Sequence, residues 1–338
     1  MNIGFIGASK ILETVIPIFS KFPDKFTLYG ISSRDKEKAL EFQKKYSICK
    51  VFDSYEDLAK DDNIELVYVS TVISKHYEDV KLCLKNNKNV IVEKSFTKSY
   101  KEAKELIDLA KKKNLYLEEA IWTRFMPSRN IINKIINSKL IGDVYYIEAN
   151  LGYNIFNVER IKNPLLGGGA LLDVGVYPLN FIDMFARSVN QTNEIVSFNV
   201  MSKLTNLGVD ETICGNIIYQ NGIIGNFFAT INNLTTRIGY IYGKDGIIKV
   251  TNINNPELIE VYKRNNIKKN KFDLVSKIKI KEEVNGYEYE FLEAFDLINK
   301  KRIEPNSMPL NDSLRMMNLM NNMLKKIKSK VVETNKKN

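Results

Sequence analysis

Residues 89–95 read NVIVEKS, an apolar, β-branched run, Val90-Ile91-Val92, that ends abruptly on two opposite charges, Glu93 and Lys94. A short run of this kind reads as a strand buried on both faces, the usual state of a parallel sheet. The charges then emerge at the strand's carboxyl end, where open α/β sheets bind their ligands, so Lys94 is placed for chemistry. A strand cap with a solvated ion pair fits the same seven letters.

The flanking chain repeats the pattern. Residues 3–6 (IGFI) form a first apolar strand, followed by Gly7, Ala8 and Ser9 and an amphipathic helix to about Lys21. Strand, small-residue turn and helix is the context in which a helix N-terminus holds a pyrophosphate, which makes Gly7, Ala8, Ser9, Lys10 and Ile11 candidate cofactor-binding residues. The GxGxxG positions are filled by Gly7, Ser9 and Leu12, so the letters fit only in part, and an ordinary βα turn remains open. A second strand around Phe26–Ser32 ends in Ser33-Arg34, where an acidic residue would bind ribose hydroxyls and an arginine accommodates a 2′-phosphate. Ser33 and Arg34 therefore favour NADP over NAD, with a helix cap at Ser33 or Asp35 as the competing reading. Further apolar runs at 64–71, ending on Thr71, and at 115–120 alternate with helices, which describes βαβ units and a doubly wound parallel sheet over residues 1–120.

Beyond a helix at Pro127–Ser138 the texture changes. Strand-like runs at 144–153, 195–204, 213–219 and 223–232 follow with few helices between them. Gln220-Asn221-Gly222 and Asp245-Gly246 are hairpin signals. These imply an α+β domain over 121–328 with a large, mostly antiparallel open sheet, one face covered by helices around Tyr287–Lys300 and Leu310–Ile327, and a basic tail that frays over 329–338.

Composition bounds the partners. A chain of 338 residues with 44% hydrophobic and 27% charged content is ordinary for a globular protein of about two domains. No apolar run approaches the ~20 residues of a membrane span and the N-terminus lacks a signal peptide, so a cytoplasmic location is expected, with no membrane partner. The net charge is +10, but residues 325–338 hold six lysines and one glutamate, leaving +5 for the rest. That distribution argues for a solvated surface and no nucleic acid. The three cysteines are far apart and the single histidine, His76, has no ligand partner at metal spacing, so no disulfide and no metal are expected.

The most unusual stretch is 167–178, GGGALLDVGVYP. Its glycines permit close backbone approach, and Asp173 and Tyr177, four apart in a helix, share a face. A tyrosine of ordinary pKa ~10 is a poor base at neutral pH, but an adjacent ammonium such as Lys94 favours the phenolate. Cap and core roles for the same two residues remain open.

Three stretches together carry a resemblance: Glu93-Lys94 matches a family Glu-Lys-Pro, and EEAIWTRFMP at 118–127 and GGGALLDVGVYP at 167–178 are long and specific. Along nearly its whole length the chain resembles the glucose-fructose oxidoreductase / inositol dehydrogenase (Gfo/Idh/MocA) family, in its dihydrodiol dehydrogenase-like branch, which includes NADP-dependent xylose dehydrogenases. The resemblance implies a Rossmann domain followed by a domain whose open sheet builds a homo-oligomer. It implies an NADP-preferring (NAD-tolerant) enzyme that transfers a hydride to or from a secondary alcohol or hemiacetal of a polyol, sugar or dihydrodiol. It places Lys94 near the nicotinamide with Asp173 and Tyr177 across the site, Trp122 and Arg124 on the substrate side, Ser33-Arg34 at the 2′-phosphate, and no catalytic role on His76. The rival expectation is a non-catalytic NAD(P)-binding regulator of the same fold. Val72-Ile73 replaces the usual Pro-Asn. Ser95 replaces proline, and serine resists a cis peptide there because a cis bond outside proline costs ~3 kcal/mol.

Overall fold

The computed structural model describes residues 1–188, 193–265, 267 and 270–335, with side chains of the last stretch to residue 329. The chain divides into two compact units: Met1–Phe125 with Glu282–Asn318, and Met126–Lys281 with Leu319–Asn338.

In the first unit, strands alternate with helices: β1 (Asn2–Ile6), α1 (Leu12–Val15), β2 (Thr27–Ser32), α2 (Lys36–Tyr46), β3 (Lys50–Phe52), α3 (Tyr55–Lys60), β4 (Leu66–Val69), α4 (Ile73–Lys85), β5 (Asn89–Glu93), α5 (Tyr100–Lys113) and β6 (Leu117–Ala120). All pairings are parallel, in the order β3-β2-β1-β4-β5-β6. This is the doubly wound dinucleotide-binding order, and its reversal point lies between the carboxyl ends of β1 and β4. Local chemistry starts the helices: the side chains of Asp35, Ser54 and Ser99 accept the N–H groups of Lys38, Asp57 and Glu102. Asp35 is thus the cap of α2, and its own N–H donates to the Ser33 hydroxyl at 3.2 Å.

The helix expected near 287–300 is α9 (Glu288–Asn299), but it covers the parallel sheet of the first unit, not the antiparallel one. Glu290, Phe291, Ala294 and Leu297 form its buried stripe, the i, i+3/i+4, i+7 spacing of an amphipathic helix. Phe291 stands edge-on to Phe19 at 4.9 Å and tilted on Tyr68 at 5.3 Å. Leu12, the misfit of the glycine pattern, is fully buried in this same core.

The second unit holds α6 (Pro127–Asn137), β7 (Val144–Gly152), α7 (Glu159–Lys162), α8 (Val176–Ala186), β8 (Ile195–Leu204), β9 (Asp210–Tyr219), β10 (Ile224–Thr230), β11 (Ile238–Gly243), β12 (Gly246–Thr251), β13 (Leu258–Arg264) and β14 (Phe272–Lys279). The sheet runs β14-β13-β12-β11-β7-β10-β9-β8, antiparallel except for the β7–β10 pair. Both hairpin signals sit where the sheet turns, β9 to β10 and β11 to β12. Alternation is clean: Gly225, Phe227 and Ala229 of β10 face α8, whereas Ile224, Asn226 and Phe228 face outward.

Two expectations need correction. The stretch Pro164–Ala186, 23 residues, is long and apolar enough to cross a membrane by length and composition, but 78% of its apolar window is buried within the protein as core. The last helix, α10 (Leu310–Asn335), keeps its winding where fraying was expected, and residues 336–338 of the tail lie outside the described residues.

Because α9 supplies core to the first unit, Phe291→Ala is expected to destabilise it by about 3–5 kcal/mol, the cost of emptying a fully buried phenylalanine site. Denaturant unfolding of wild type and variant measures this, and a loss below 1 kcal/mol would contradict the packing.

Candidate active site

After β1 the chain turns at Gly7, whose φ of +92° is left-handed backbone that glycine adopts without strain. Its N–H donates to the Ser32 carbonyl at 2.9 Å, and a Cβ there would meet Thr71, 3.0 Å from the side chain and 3.3 Å from the backbone nitrogen. Ala8 is buried, Lys10 is exposed, and the carbonyls of Ser9, Lys10 and Ile11 accept the first N–H groups of the following turn. The Ser9 hydroxyl is buried with no hydrogen-bond partner, as is that of Ser32 at the end of β2. Buried orphan hydroxyls at both turns are the donors a phosphate and a ribose would use, so the residues present fit a dinucleotide.

Arg34 is exposed and acts on two neighbours, Tyr55 and Asp79. Burial pushes the Tyr55 phenol up while Asp79 adds to the push and Arg34 opposes it. Asp79, also raised by burial, accepts the Thr71 hydroxyl at 2.7 Å. No carboxylate follows β2 before Arg34; Asp35 is engaged as the cap of α2.

At the end of β5 the Lys94–Ser95 peptide bond is cis, contrary to the expectation that serine would resist it. The surrounding contacts determine the turn. His76, buried in α4, places Nδ1 2.9 Å from the Ser95 carbonyl and Nε2 3.0 Å from the Thr71 carbonyl. The Phe96 N–H donates to Glu119 at 3.0 Å. Glu93 accepts the Tyr68 hydroxyl at 2.5 Å. Burial pushes the imidazole down to about 4, Lys94 adds to this, and the backbone carbonyls pull the other way. A neutral imidazole donates only one of its two contacts. Burial pushes Glu119 up to about 7.

Trp122 is buried and stacked on Tyr287, centroids 4.3 Å apart. Arg124 is 1% exposed, and its guanidinium lies 3.2 Å from Asp312, which also pairs with Arg315. Arg124 thus has a structural partner that its sequence context did not suggest.

In the second unit, Gly169 takes φ +120°, and a Cβ there would lie 2.2 Å from the Asp210 carboxylate. Asp210 accepts the Leu171 N–H at 2.5 Å, and burial pushes its carboxyl up to about 7. The segment Leu171–Gly175 is wound as a π-helix before α8 begins, so Asp173 and Tyr177 straddle a change of winding where a regular helix was expected. Asp173 is buried and binds Arg160 at 2.6 Å. Tyr177 is half-buried. Lys94 belongs to the first unit, Asp173 and Tyr177 to the second. Arg160, Asp210 and Tyr68 were not found from sequence; none stands at a helical or strand repeat from the residue it holds.

A parallel sheet in this order, with a glycine turn at its reversal point, defines a dinucleotide-binding fold. Residues 1–120 match the model of the oxidoreductase family with an NAD-binding Rossmann fold, and residues 131–249 match the GFO/IDH/MocA C-terminal domain. The chain belongs to the Gfo/Idh/MocA family and is an NAD(P)-dependent oxidoreductase. It is 33% identical to trans-1,2-dihydrobenzene-1,2-diol dehydrogenase of Xenopus tropicalis over 96% of this chain and 97% of the relative. It is 30% identical to the enzyme of that name from Homo sapiens over 74% of each. Among solved structures, a 3-ketoreductase from Actinomadura kijaniata in complex with NADP superposes with a TM-score of 0.83 at 18% identity, covering 97% of both chains. Levoglucosan dehydrogenase in complex with NADH and L-sorbose gives 0.83 at 16% identity over 96% of both.

His76 supplies a pH signature. Its imidazole is pushed from the ordinary 6.5 down to about 4, so the unfolded chain takes up the proton first. The stability this group contributes is complete above pH 6.5, falls as pH drops toward about 4, and is flat below. The loss over that window is ~3 kcal/mol. His76→Gln is expected to be less stable at neutral pH, to lack this slope and so to close on wild type in acid. A wild-type minus variant difference that stays constant from pH 7 to about 4 would refute it.

Proposed function

We propose that this oxidoreductase moves a hydride reversibly between a nicotinamide, NADP in preference to NAD, and the secondary alcohol or cyclic hemiacetal carbon of a small polyol, sugar or dihydrodiol. The observation that carries the reading is the Lys94 turn, an ammonium at the carboxyl end of a buried parallel strand, on backbone fastened by His76 and Glu119. Relatives named as dihydrobenzenediol dehydrogenases support a diol within this range. Exposed Arg34, with no carboxylate before it after β2, supports the NADP preference, since a guanidinium suits a 2′-phosphate.

When bound, the nicotinamide supplies the hydride acceptor. Tyr177 takes the proton of the substrate hydroxyl. Lys94 supplies the positive charge that favours the phenolate, and Asp173, its carboxylate fixed by Arg160, orients the reacting groups. Trp122 belongs to the same substrate-facing assignment. The reading includes a homo-oligomer built on the outer face of the eight-stranded sheet. Exposed Met201 (65%), Ile224 (41%) and Phe228 (38%) on that sheet support it.

Fluorescence titration is expected to show tighter binding of NADPH than NADH, and a turnover screen over diols, pentoses and hexoses to find a substrate. With that substrate, Lys94→Ala and Tyr177→Phe should lose on the order of 10²–10⁴-fold in kcat. Wild-type turnover by Lys94→Ala would refute the assignment, and cofactor binding without turnover across the panel would indicate the non-catalytic regulator. For the assembly, sedimentation equilibrium should give a smaller particle for Phe228→Glu than for wild type; equal masses would remove that face from the interface.

A further inference from the structure

The helical segment that carries Asp173 and Tyr177 starts without a cap from its own chain. Ala170 stands before Leu171, and no side chain there accepts an N–H of the first turn. Ala170 and Leu171 are fully buried, so water cannot take that role, and an unpaired N–H would be costly. The partner comes from the first residue of β9. Asp210, 5% exposed, accepts the Leu171 N–H on Oδ2 at 2.5 Å. A negative charge at this end of a helix also meets the positive end of its dipole.

The same carboxylate meets Asp173 by a second route. Its Oδ1 faces Gly169, where a Cβ would lie 2.2 Å away, so only glycine lets the two close on each other. Gly169 is tied through both of its backbone groups. Its N–H donates at 2.9 Å to the carbonyl of Ile161, the residue after Arg160, and its carbonyl accepts the Asp173 N–H at 3.2 Å. Arg160 holds the Asp173 carboxylate at 2.6 Å. Both members of the Arg160 and Asp173 pair are thus connected to Gly169, and Gly169 and Leu171 both abut Asp210. All of these residues belong to the second unit.

Asp210 is itself fixed by the sheet. On either side of it the Val209 carbonyl accepts the Thr205 N–H at 2.9 Å and the Glu211 carbonyl accepts the Ile231 N–H at 3.0 Å. Among the described residues no charged side chain acts on its carboxyl, which is met by the Leu171 N–H and its own; Arg160 is paired with Asp173, and Lys203 with Glu211. Burial disfavours the charge and no cation offsets that, which is a local cost of the kind proteins keep at functional sites.

We infer that Asp210 is a positioning residue: by anchoring Leu171 and Gly169 to the eight-stranded sheet it sets the place of Asp173 and of Tyr177 one turn further on. This rests on the dehydrogenase reading, in which those two side chains serve the reacting centre. Asp210 acts on them only through backbone, and its work is geometric.

Two variants separate position from folding. Asp210→Ala removes the acceptor, whereas Asp210→Asn keeps an oxygen for the Leu171 N–H. Amide hydrogen exchange on the full chain should be faster over residues 169–175 in Asp210→Ala and return toward the wild-type rate in Asp210→Asn. With a substrate from the turnover screen, Asp210→Ala should lose on the order of 10²-fold in kcat, the cost of a small misplacement at the reacting centre. Its NADPH affinity, which belongs to the first unit, should stay at the wild-type value, and Asp210→Asn should recover most of the kcat. Unchanged exchange or wild-type kcat in Asp210→Ala would overturn the inference and leave the dehydrogenase reading standing. So would equal kcat losses in the two variants, or a loss of NADPH affinity in step with kcat. Absence of turnover in wild type would end both. Should Asp210→Ala fail to fold, Asp210→Leu, of similar shape and without an acceptor, carries the same test.

Discussion

The first unit turns on His76, whose ring nitrogens lie against two carbonyls, that of Thr71 after β4 at 3.0 Å and that of Ser95 after β5 at 2.9 Å, and whose neutral form donates to one of them. Neighbouring parallel strands end here, and each must change direction at its carboxyl edge. One imidazole on α4 lies between both turns. Thr71 in turn closes against Gly7, and Ser95 follows Lys94. The Gly7 turn and the Lys94 turn therefore both adjoin backbone that the one side chain reaches. Because the ring must be buried to reach both carbonyls, the fold favours its neutral form.

The strand and helix alternation of residues 1–120 was legible because both periods are local: β-branched runs, Gly7 after the first, and serine or aspartate caps before the helices. The hairpins at 220–222 and 245–246 were legible for the same reason. The place of α9 was not. Glu290, Phe291, Ala294 and Leu297 announce an amphipathic stripe, but a stripe does not say which sheet it will cover. That choice is made by Phe19, Phe26 and Tyr68, far away in the chain, whose ring edges accept Phe291 and Phe295. The places of Gly7, Ser9 and Lys94, each just after a strand, could be read from the apolar runs that precede them. Arg160, the partner of Asp173, could not, since nothing in the spacing of the two residues predicts an ion pair. The winding at 171–175 escaped for a related reason: helical spacing alone does not distinguish a π turn from an α turn.

In the second unit one sheet serves two environments. Gly225, Phe227, Ile213 and Ile147 take the side under α8, while Tyr146, Glu148, Asn226 and Tyr242 lie on the outer side. There Glu148 accepts the hydroxyls of Tyr242 at 2.8 Å and Tyr146 at 3.1 Å, and Tyr146 accepts Asn226 at 2.9 Å. The outer side thus combines a hydrogen-bonded lattice of side chains with the exposed Met201 and Phe228.

The buried titratable groups pull stability in opposite directions with pH. Glu119 and Asp210 are each raised to about 7, so the folded protein holds their protons where the unfolded chain has lost them. Their contribution is complete in acid and declines as pH rises toward about 7. His76, lowered to about 4, contributes fully at neutral pH and loses that contribution in acid. Over the range where both kinds titrate the slopes oppose, so part of the pH dependence of each cancels that of the other. The backbone that follows Lys94 is held by side chains outside the turn itself, His76 at the Ser95 carbonyl and Glu119 at the Phe96 N–H.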